Sequence, residues 1–272
     1  MALFQCSFFS TTLCFGTNVN VIIPSPDSDE LMNGKDISYF QDGMKFQVLY
    51  LLHGAYGDYT DWQRLTRIES YAQKYKLAVV MPSAANSFYQ DMYRGSAYFT
   101  YLTEELPAFI EHTFPVSTKR EDTFVAGLSM GGYGAMRLAL MCPEKFHSCI
   151  SLSGAVELEY LMEEFKHGEV GGPFNFPAIF EDPETIRDTE ADLFFLMDRI
   201  RKEGRPMPRI FQSCGTEDFV YPVNVRAHQR MEEMGVEHRF ETHPGIHDWD
   251  YWDTHIQRGI EWLPLKRTTG KE

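Results

Sequence analysis

The chain has 272 residues, of which 43% are hydrophobic and 24% charged, and its formal net charge is −14. This length and composition fit one large globular α/β domain, and since no linker divides the chain we expect a single domain over 1–272. The acidic balance argues against nucleic acid or an anionic membrane as a partner, because phosphate binding needs clustered Lys and Arg. We also expect no signal peptide and no membrane helix, since the first residues lack a basic start and a long apolar run.

Predicted strands and helices alternate along the chain. Short apolar or alternating runs predict strands at 4–9, 17–23, 48–52, 77–81, 123–126, 149–152, 209–214 and 238–242. Helical spacing of apolar residues predicts helices at 62–75, 98–113, 133–142, 223–234 and 249–263. Residues 24–47 are polar and predict a loop. Such alternation indicates a mostly parallel sheet with helices on both faces, whose ligands bind at the carboxyl ends of the strands.

The five cysteines indicate the redox compartment. Their number is odd, their spacing suggests no pairs, and most lie in apolar stretches: Cys6, Cys14, Cys142, Cys149 and Cys214. Buried free thiols in a reducing compartment explain this pattern best, so we expect a cytoplasmic protein.

A serine between glycines stands where the fifth predicted strand meets the next helix, in Gly127-Leu128-Ser129-Met130-Gly131. The spacing G-x-S-x-G is typical of a nucleophile elbow, in which a strained turn lifts the serine Oγ above the sheet. Glycines are needed there because a Cβ at either position would collide with the neighbouring strand or helix. The alternative is a tight turn with a solvated hydroxyl. We expect Ser129 to be a nucleophile.

Such a serine needs an orienting acid and a base, which follow it in that order along the chain. Asp218 comes directly after a predicted strand, where a carboxylate can fix the tautomer of an imidazole. Glu217 is its competitor, and Asp218 could instead cap the following helix. His247 comes just after the last predicted strand and is the expected base, whereas its rival His243 falls on the strand end.

The same region admits a metal site as an alternative. Its candidate ligands are His243, His247, Asp248, Asp250 and His255. Pro244 and Gly245 forbid the helix that would align the first two histidines, so we expect no metal. Asp248 is instead expected to cap the last helix.

The loop after the third predicted strand is the expected source of an oxyanion-hole donor. Gly54 and Gly57 permit a backbone N–H to point into the site, and we expect the N–H groups of Ala55 and Met130 to act together. His53 is expected to hold this loop by a hydrogen bond.

Four motifs in this order resemble the esterase D-like group of α/β-hydrolases. They are Leu51-Leu52-His53-Gly54 with Gly57 and Asp61-Trp62, Gly127 to Ala135, Gly215-Thr216-Glu217-Asp218, and Gly245-x-His247-Asp248-Trp249 with Trp252. Within this group the chain is most similar to bacterial tributyrin esterases. The resemblance implies an α/β-hydrolase fold, a triad of Ser129, Asp218 and His247, an oxyanion hole at Ala55 and Met130, and an intracellular carboxylesterase of short acyl chains.

We therefore expect a serine esterase that hydrolyses acetyl to butyryl esters, with acetylated sugars among the candidates, through an acyl-enzyme and without a cofactor. An acyltransferase, a thioesterase similar to S-formylglutathione hydrolases and a feruloyl esterase are alternatives on the same triad, as more distant relatives. A binding protein on an inactive hydrolase fold is the remaining alternative. A small-molecule ester is the expected partner, and a homo-oligomer is an alternative to a monomer.

Residues 155–208 match no pattern and are expected to form a cover over the acyl pocket. Their aromatic residues are Tyr160, Phe165, Phe174, Phe176, Phe180, Phe194 and Phe195. Rings over the serine would leave a shallow acyl pocket, whereas the alternative is that most of them pack on the core.

Overall fold

The computed structural model describes residues 1–33, 39, 41–167, 174–183 and 185–266. Its strands are β1 (Ala2–Ser10), β2 (Phe15–Ile23), β3 (Val48–Leu52), β4 (Ala78–Pro82), β5 (Thr123–Leu128), β6 (Ser148–Leu152), β7 (Arg209–Gly215) and β8 (His238–His243). Every predicted strand is therefore confirmed, with its ends within two residues of the predicted ones.

These strands form one sheet in the order β1-β2-β4-β3-β5-β6-β7-β8. β1 and β2 form an antiparallel hairpin, and β2 also pairs with β4 in the antiparallel sense. The pairs from β4 through β3 to β8 are all parallel. Every residue of β3, β4 and β6 is buried, as expected for strands covered on both faces. The prediction of a mostly parallel sheet is confirmed.

The helices connect the strands. They are α1 (Ser28–Met32), α2 (Asp61–Leu65), α3 (Ile68–Tyr75), α4 (Tyr98–Thr100), α5 (Leu106–Thr113), α6 (Met130–Met141), α7 (Leu158–His167), α8 (Phe176–Ile179), α9 (Leu193–Glu203), α10 (Tyr221–Glu233) and α11 (Trp249–Trp262). A π-helical turn, Tyr101–Glu105, joins α4 to α5, and a 3₁₀ turn, Arg120–Asp122, precedes β5.

Two helix predictions need correction. The single helix predicted over 62–75 is two helices, because Thr66 has extended backbone angles, with ψ of 174°, and interrupts the ladder. The predicted loop 24–47 contains α1, which a capping box starts: Asp27 accepts from the backbone N–H of Glu30 while the Glu30 side chain accepts from the N–H of Asp27. Short capped helices of this kind carry too few apolar residues to show a periodicity.

The core has two layers, one on each face of the sheet. Alternate residues of β3 illustrate the division, since Tyr50 packs in one layer and Leu49 and Leu51 in the other. Helices α5, α6, α9 and α10 bury their apolar faces in the first layer, and α2, α3 and α11 bury theirs in the second. Helices on both faces confirm the three-layer arrangement expected from the sequence.

The five cysteines are unpaired. Cys149 and Cys214 are buried as predicted, but Cys14 is exposed because it lies in the turn between β1 and β2. Within the described ranges, no helix has the length and apolar character that crossing a membrane requires.

Candidate active site

Ser129 lies between the end of β5 and the start of α6, with backbone angles of φ 53° and ψ −118°. A positive φ is strained for a residue other than glycine, and such strain is typical of functional turns. The flanking glycines make the turn possible. A Cβ on Gly127 would lie 2.2 Å from the carbonyl oxygen of Gly131, and a Cβ on Gly131 would lie 2.5 Å from that of His53. The predicted need for both glycines is confirmed.

The structure brings the three predicted side chains together. His247 Nε2 lies 3.0 Å from Ser129 Oγ, and His247 Nδ1 lies 2.9 Å from both carboxylate oxygens of Asp218. The Asp218 side chain is fully buried, whereas 19% of the His247 side chain is exposed. A buried carboxylate that accepts from Nδ1–H leaves Nε2 free to accept the serine proton, which is the arrangement that nucleophilic catalysis by serine requires.

The loops after β7 and β8 hold the acid and the histidine in place. Asp218 Oδ1 also accepts from the backbone N–H of Val220 at 3.0 Å, but Val220 is itself the N-cap of α10, so Asp218 orders the turn before that helix and the alternative that it caps the helix is wrong. Glu217, the predicted competitor, contacts the other loop instead. Its Oε2 accepts from the N–H of Gly245 at 2.6 Å, and its own N–H donates to the Gly245 carbonyl at 3.1 Å. Glu217 therefore ties the two loops together.

The five candidate metal ligands are not brought together. His247 contacts Ser129, and Asp248 caps α11 by accepting from the N–H of Tyr251 at 3.0 Å, as predicted. His243 lies at the end of β8, and its ring centroid is 4.8 Å from that of His255.

Glu241 joins those two histidines, and the potential ligand atoms of the three residues lie within 4.8 Å of one another. Arg239 Nε and Arg258 Nε each donate to the Glu241 carboxylate at 2.7 Å. Two guanidinium groups on the one carboxylate oppose a further cation at this cluster. These contacts explain Glu241 as the centre of a surface ion-pair network.

His255 in this cluster makes stability depend on pH. Burial, together with the neighbouring His243 and Arg258, lowers the pKa of His255 to about 4, although the Glu241 carboxylate acts in the opposite direction. The pKa of a histidine in the unfolded chain is about 6.5. Between these two values the unfolded chain binds a proton that the folded chain does not, so stability falls as pH decreases from about 6.5 to 4. We expect the free energy of unfolding in urea to fall less over this range in His255→Gln than in the unsubstituted protein. Equal losses would contradict this assignment.

The loop after β3 lies against the serine. A Cβ on Gly54 would come within 3.6 Å of Ser129 Cβ, which places the neighbouring Ala55 beside the nucleophile. The backbone hydrogen bonds between described residues include none donated by Ala55 or by Met130, the first residue of α6. Both N–H groups are therefore available to a developing oxyanion, and the N-terminal end of a helix favours negative charge.

His53 fixes this loop as predicted. Its Nε2 accepts from the N–H of Ala84 at 2.9 Å, so its Nδ1 carries the proton and donates to the carbonyl of Gly54 at 2.6 Å. Burial lowers the pKa of His53, which favours the neutral ring.

A cleft of about 440 Å³ opens at the serine. Its lining is mostly apolar and aromatic: Gly54, Ala55, Tyr56, Gly57, Asp61, Leu128, Ser129, Phe174, Phe219, His247, Trp249 and Trp252. The Phe219 ring lies 4.5 Å from the His247 ring, and Trp252 contacts the same imidazole edge-on at 4.9 Å. The volume is that of a small-molecule site.

Sequence reasoning missed Tyr56, Asp61 and Phe219 as walls of this cleft. Phe219 is 65% exposed and Tyr56 is 72% exposed, which is unusual for large aromatic side chains. Phe219 follows Asp218 in the sequence and Tyr56 follows Ala55. These positions next to predicted site residues are the one signal that could have identified the two aromatic side chains as walls of the cleft.

Most aromatic side chains of the expected cover pack on the core. Phe174 lines the cleft, and its ring lies 6.3 Å from that of Tyr56. Phe176 and Phe180 contact the buried Phe88. The others lie elsewhere: Phe194 is buried in the core, Phe195 packs against it, Tyr160 contacts Arg226, and the Phe165 side chain and 168–173 are outside the described residues.

Comparisons with known proteins identify the family of the chain. The family described as "Putative esterase" matches residues 36–263. An acetyl esterase of Caldicellulosiruptor saccharolyticus is 32% identical over 267 residues, which cover 97% of this chain and 98% of the relative.

Two solved structures from Staphylococcus aureus are also similar. The fluorophosphonate-binding serine hydrolase FphF is 34% identical with a TM-score of 0.86, and the alignment covers 96% of this chain and 98% of that chain. The S-formylglutathione hydrolase FrmB is 35% identical with a TM-score of 0.82 and the same coverage. This hydrolase is thus no more distant from the chain than the acetyl esterase. The chain has the predicted α/β-hydrolase fold, is a serine hydrolase, and belongs to the esterase family.

Proposed function

We propose that this protein is a carboxylesterase that hydrolyses small esters of short acyl chains, from acetyl to butyryl, acetylated sugars included. One observation carries the proposal: the hydrogen-bonded series Ser129, His247 and Asp218 opens into an apolar cleft of about 440 Å³. A nucleophile, a base and an orienting acid at these distances are the parts of acyl transfer, and the cleft has room for a small ester. The proposed reaction needs no metal and no organic cofactor.

In the first half of the reaction, Ser129 Oγ attacks the ester carbonyl carbon while His247 Nε2 takes the hydroxyl proton. Asp218 holds the imidazole by its Nδ1–H and stabilises the positive charge that the ring acquires. The C–O bond to the alcohol then breaks, and the alcohol leaves with the proton from Nε2. In the second half, His247 takes a proton from water, the resulting hydroxide attacks the acyl-enzyme, and Ser129 Oγ recovers the proton as the acid leaves.

The negative charge of each tetrahedral intermediate falls on the former carbonyl oxygen. We propose that the backbone N–H groups of Ala55 and Met130 donate to it, since Ala55 lies beside Ser129 and neither group has a backbone acceptor among the described residues. Fixed donors of this kind require no reorganisation when the charge forms.

Acyl chain length provides a direct test of the substrate class. The cleft is shared by the acyl and alcohol parts, and Phe174 and Trp252 occupy its walls. Each methylene that remains in water forfeits about 0.8 kcal/mol of burial. We expect kcat/KM for p-nitrophenyl esters to be highest between acetate and butyrate and to fall steeply beyond about eight carbons. A maximum at decanoate or longer would contradict the proposal.

A thioesterase is the second candidate, because one of the most similar structures is an S-formylglutathione hydrolase. The same triad attacks a thioester carbonyl, so the geometry suits both reactions. Comparing kcat/KM for S-formylglutathione and p-nitrophenyl acetate at matched conditions distinguishes them. Product analysis with an added acceptor alcohol separates hydrolysis from acyl transfer.

We propose that 1–272 is one domain in which 155–208 covers the acyl side, which the place of Phe174 in the cleft supports. A cytoplasmic location is supported by the five unpaired cysteines, because secreted proteins commonly pair theirs.

A further inference from the structure

The cleft contains one acidic side chain among the described residues that line it, Asp61 at the start of α2. Its carboxylate points toward the loop after β3. A Cβ on Gly57 would lie 2.2 Å from Asp61 Oδ2 and 3.1 Å from His53 Cβ. The negative charge therefore faces the segment that carries Ala55, on the same cleft as Ser129.

No ion pair between described residues neutralises this carboxylate. Burial and the nearby Asp58 carboxylate raise the pKa of Asp61, whereas a backbone hydrogen bond from Asp58 and the charge of Arg64 act to lower it. The rest of the lining supplies aromatic rings, glycines and the His247 ring rather than a cation. A half-buried charge among apolar groups is screened less than a surface charge, so it interacts more strongly with a charged ligand in the cleft.

We propose that Asp61 selects substrates by charge, so that the cleft takes neutral and cationic esters and disfavours esters that carry a carboxylate. The inference rests on the proposed esterase function and adds its substrate class. A carboxylate on the acyl or the alcohol part would come close to Asp61 and repel it, whereas an ammonium group would be attracted. For two unit charges about 8 Å apart, at an effective dielectric constant between those of water and protein, Coulomb's law gives a discrimination of roughly five- to tenfold.

The test compares Asp61→Asn with the unsubstituted protein on esters that differ in charge. Asparagine keeps the shape of the side chain and removes only the charge. The substrates are neutral 4-nitrophenyl acetate, anionic 4-acetoxy-3-nitrobenzoate, anionic mono-4-nitrophenyl succinate and cationic acetylthiocholine, at about pH 8 so that the carboxyl group is ionised. For each substrate, kcat/KM of the variant is divided by kcat/KM of the unsubstituted protein. In this ratio the intrinsic reactivity of the substrate cancels.

Asp58→Asn is the matched control, because Asp58 is an exposed neighbouring carboxylate outside the cleft lining. We expect Asp61→Asn to raise the ratio at least about threefold for one or both anionic esters relative to 4-nitrophenyl acetate and to lower it for acetylthiocholine. The Asp58→Asn ratios should agree within twofold across the substrates, and added salt should reduce the selectivity of the unsubstituted protein.

Asp61→Asn ratios that agree for all four esters would overturn the inference, whether the ratios stay near one or all change equally. An equal change would report an effect on the triad or the fold. These outcomes are separate from failure of the proposed function, which would appear as no hydrolysis of 4-nitrophenyl acetate by the unsubstituted protein.

Discussion

Ser129→Ala is expected to lower kcat for p-nitrophenyl acetate by roughly 10⁴- to 10⁶-fold while the fold stays intact. The substitution removes the Oγ that His247 Nε2 contacts at 3.0 Å, so no acyl-enzyme can form. The residual rate would come from binding and the oxyanion donors alone. Steady-state kinetics measures the loss, and circular dichroism with thermal unfolding verifies that the variant is folded.

The partner residues refine this expectation. His247→Ala should cost about as much as Ser129→Ala, and Asp218→Asn somewhat less, because members of a triad act as a unit. His243→Ala is the matched control, since His243 lies with Glu241 and His255 rather than in the cleft. If His243→Ala proved as damaging as His247→Ala without a change in stability, the assignment of the base would be wrong.

Gly131→Ala is expected to destabilise the protein by about 3 kcal/mol or more, because the new methyl group overlaps rigid backbone. It would lie 2.5 Å from the His53 carbonyl oxygen and 2.6 Å from that of Leu52. The first turn of α6 would have to move away from β3, taking Ser129 with it, so activity should fall as well. Urea unfolding followed by circular dichroism measures the change in free energy.

Gly16→Ala is the control for that experiment. Gly16 lies in β2, has ordinary backbone angles, and has nothing within 4 Å of the position of an added Cβ. Its substitution should leave the free energy of unfolding within about 0.5 kcal/mol of the original value. Equal effects of the two substitutions would show that the close approach of α6 to β3 does not limit stability.

Local sequence patterns predicted the strands and the motif residues because each depends on near neighbours. A buried strand such as β3 needs a continuous apolar run, and a nucleophile elbow needs glycines at fixed spacing around Ser129. The order of Asp218 and His247 after two successive strands predicted that they would meet at one edge of the sheet. The structure places the three side chains within hydrogen-bond distance.

The walls of the cleft could not be predicted in this way, since they come from loops whose relative positions depend on the whole fold. Phe219 contacts the His247 ring across the loops after β7 and β8, which Glu217 ties to each other. Asp61 lines the cleft from the first residue of α2, where the loop after β3 ends, and the path of that loop leaves no local sequence pattern. The aromatic residues of 155–208 were ambiguous for the same reason, as packing on Phe88 and lining the cleft require the same residue types.

Covalent labelling of the nucleophile tests the central claim most directly. A fluorophosphonate transfers its phosphonyl group to an activated serine oxygen with loss of fluoride, and intact mass followed by peptide mapping locates it. We predict one label per chain, on Ser129, in parallel with loss of p-nitrophenyl acetate hydrolysis, no label in Ser129→Ala, and greatly slowed labelling in His247→Ala. A label on another residue, or full hydrolytic activity in Ser129→Ala, would contradict the account.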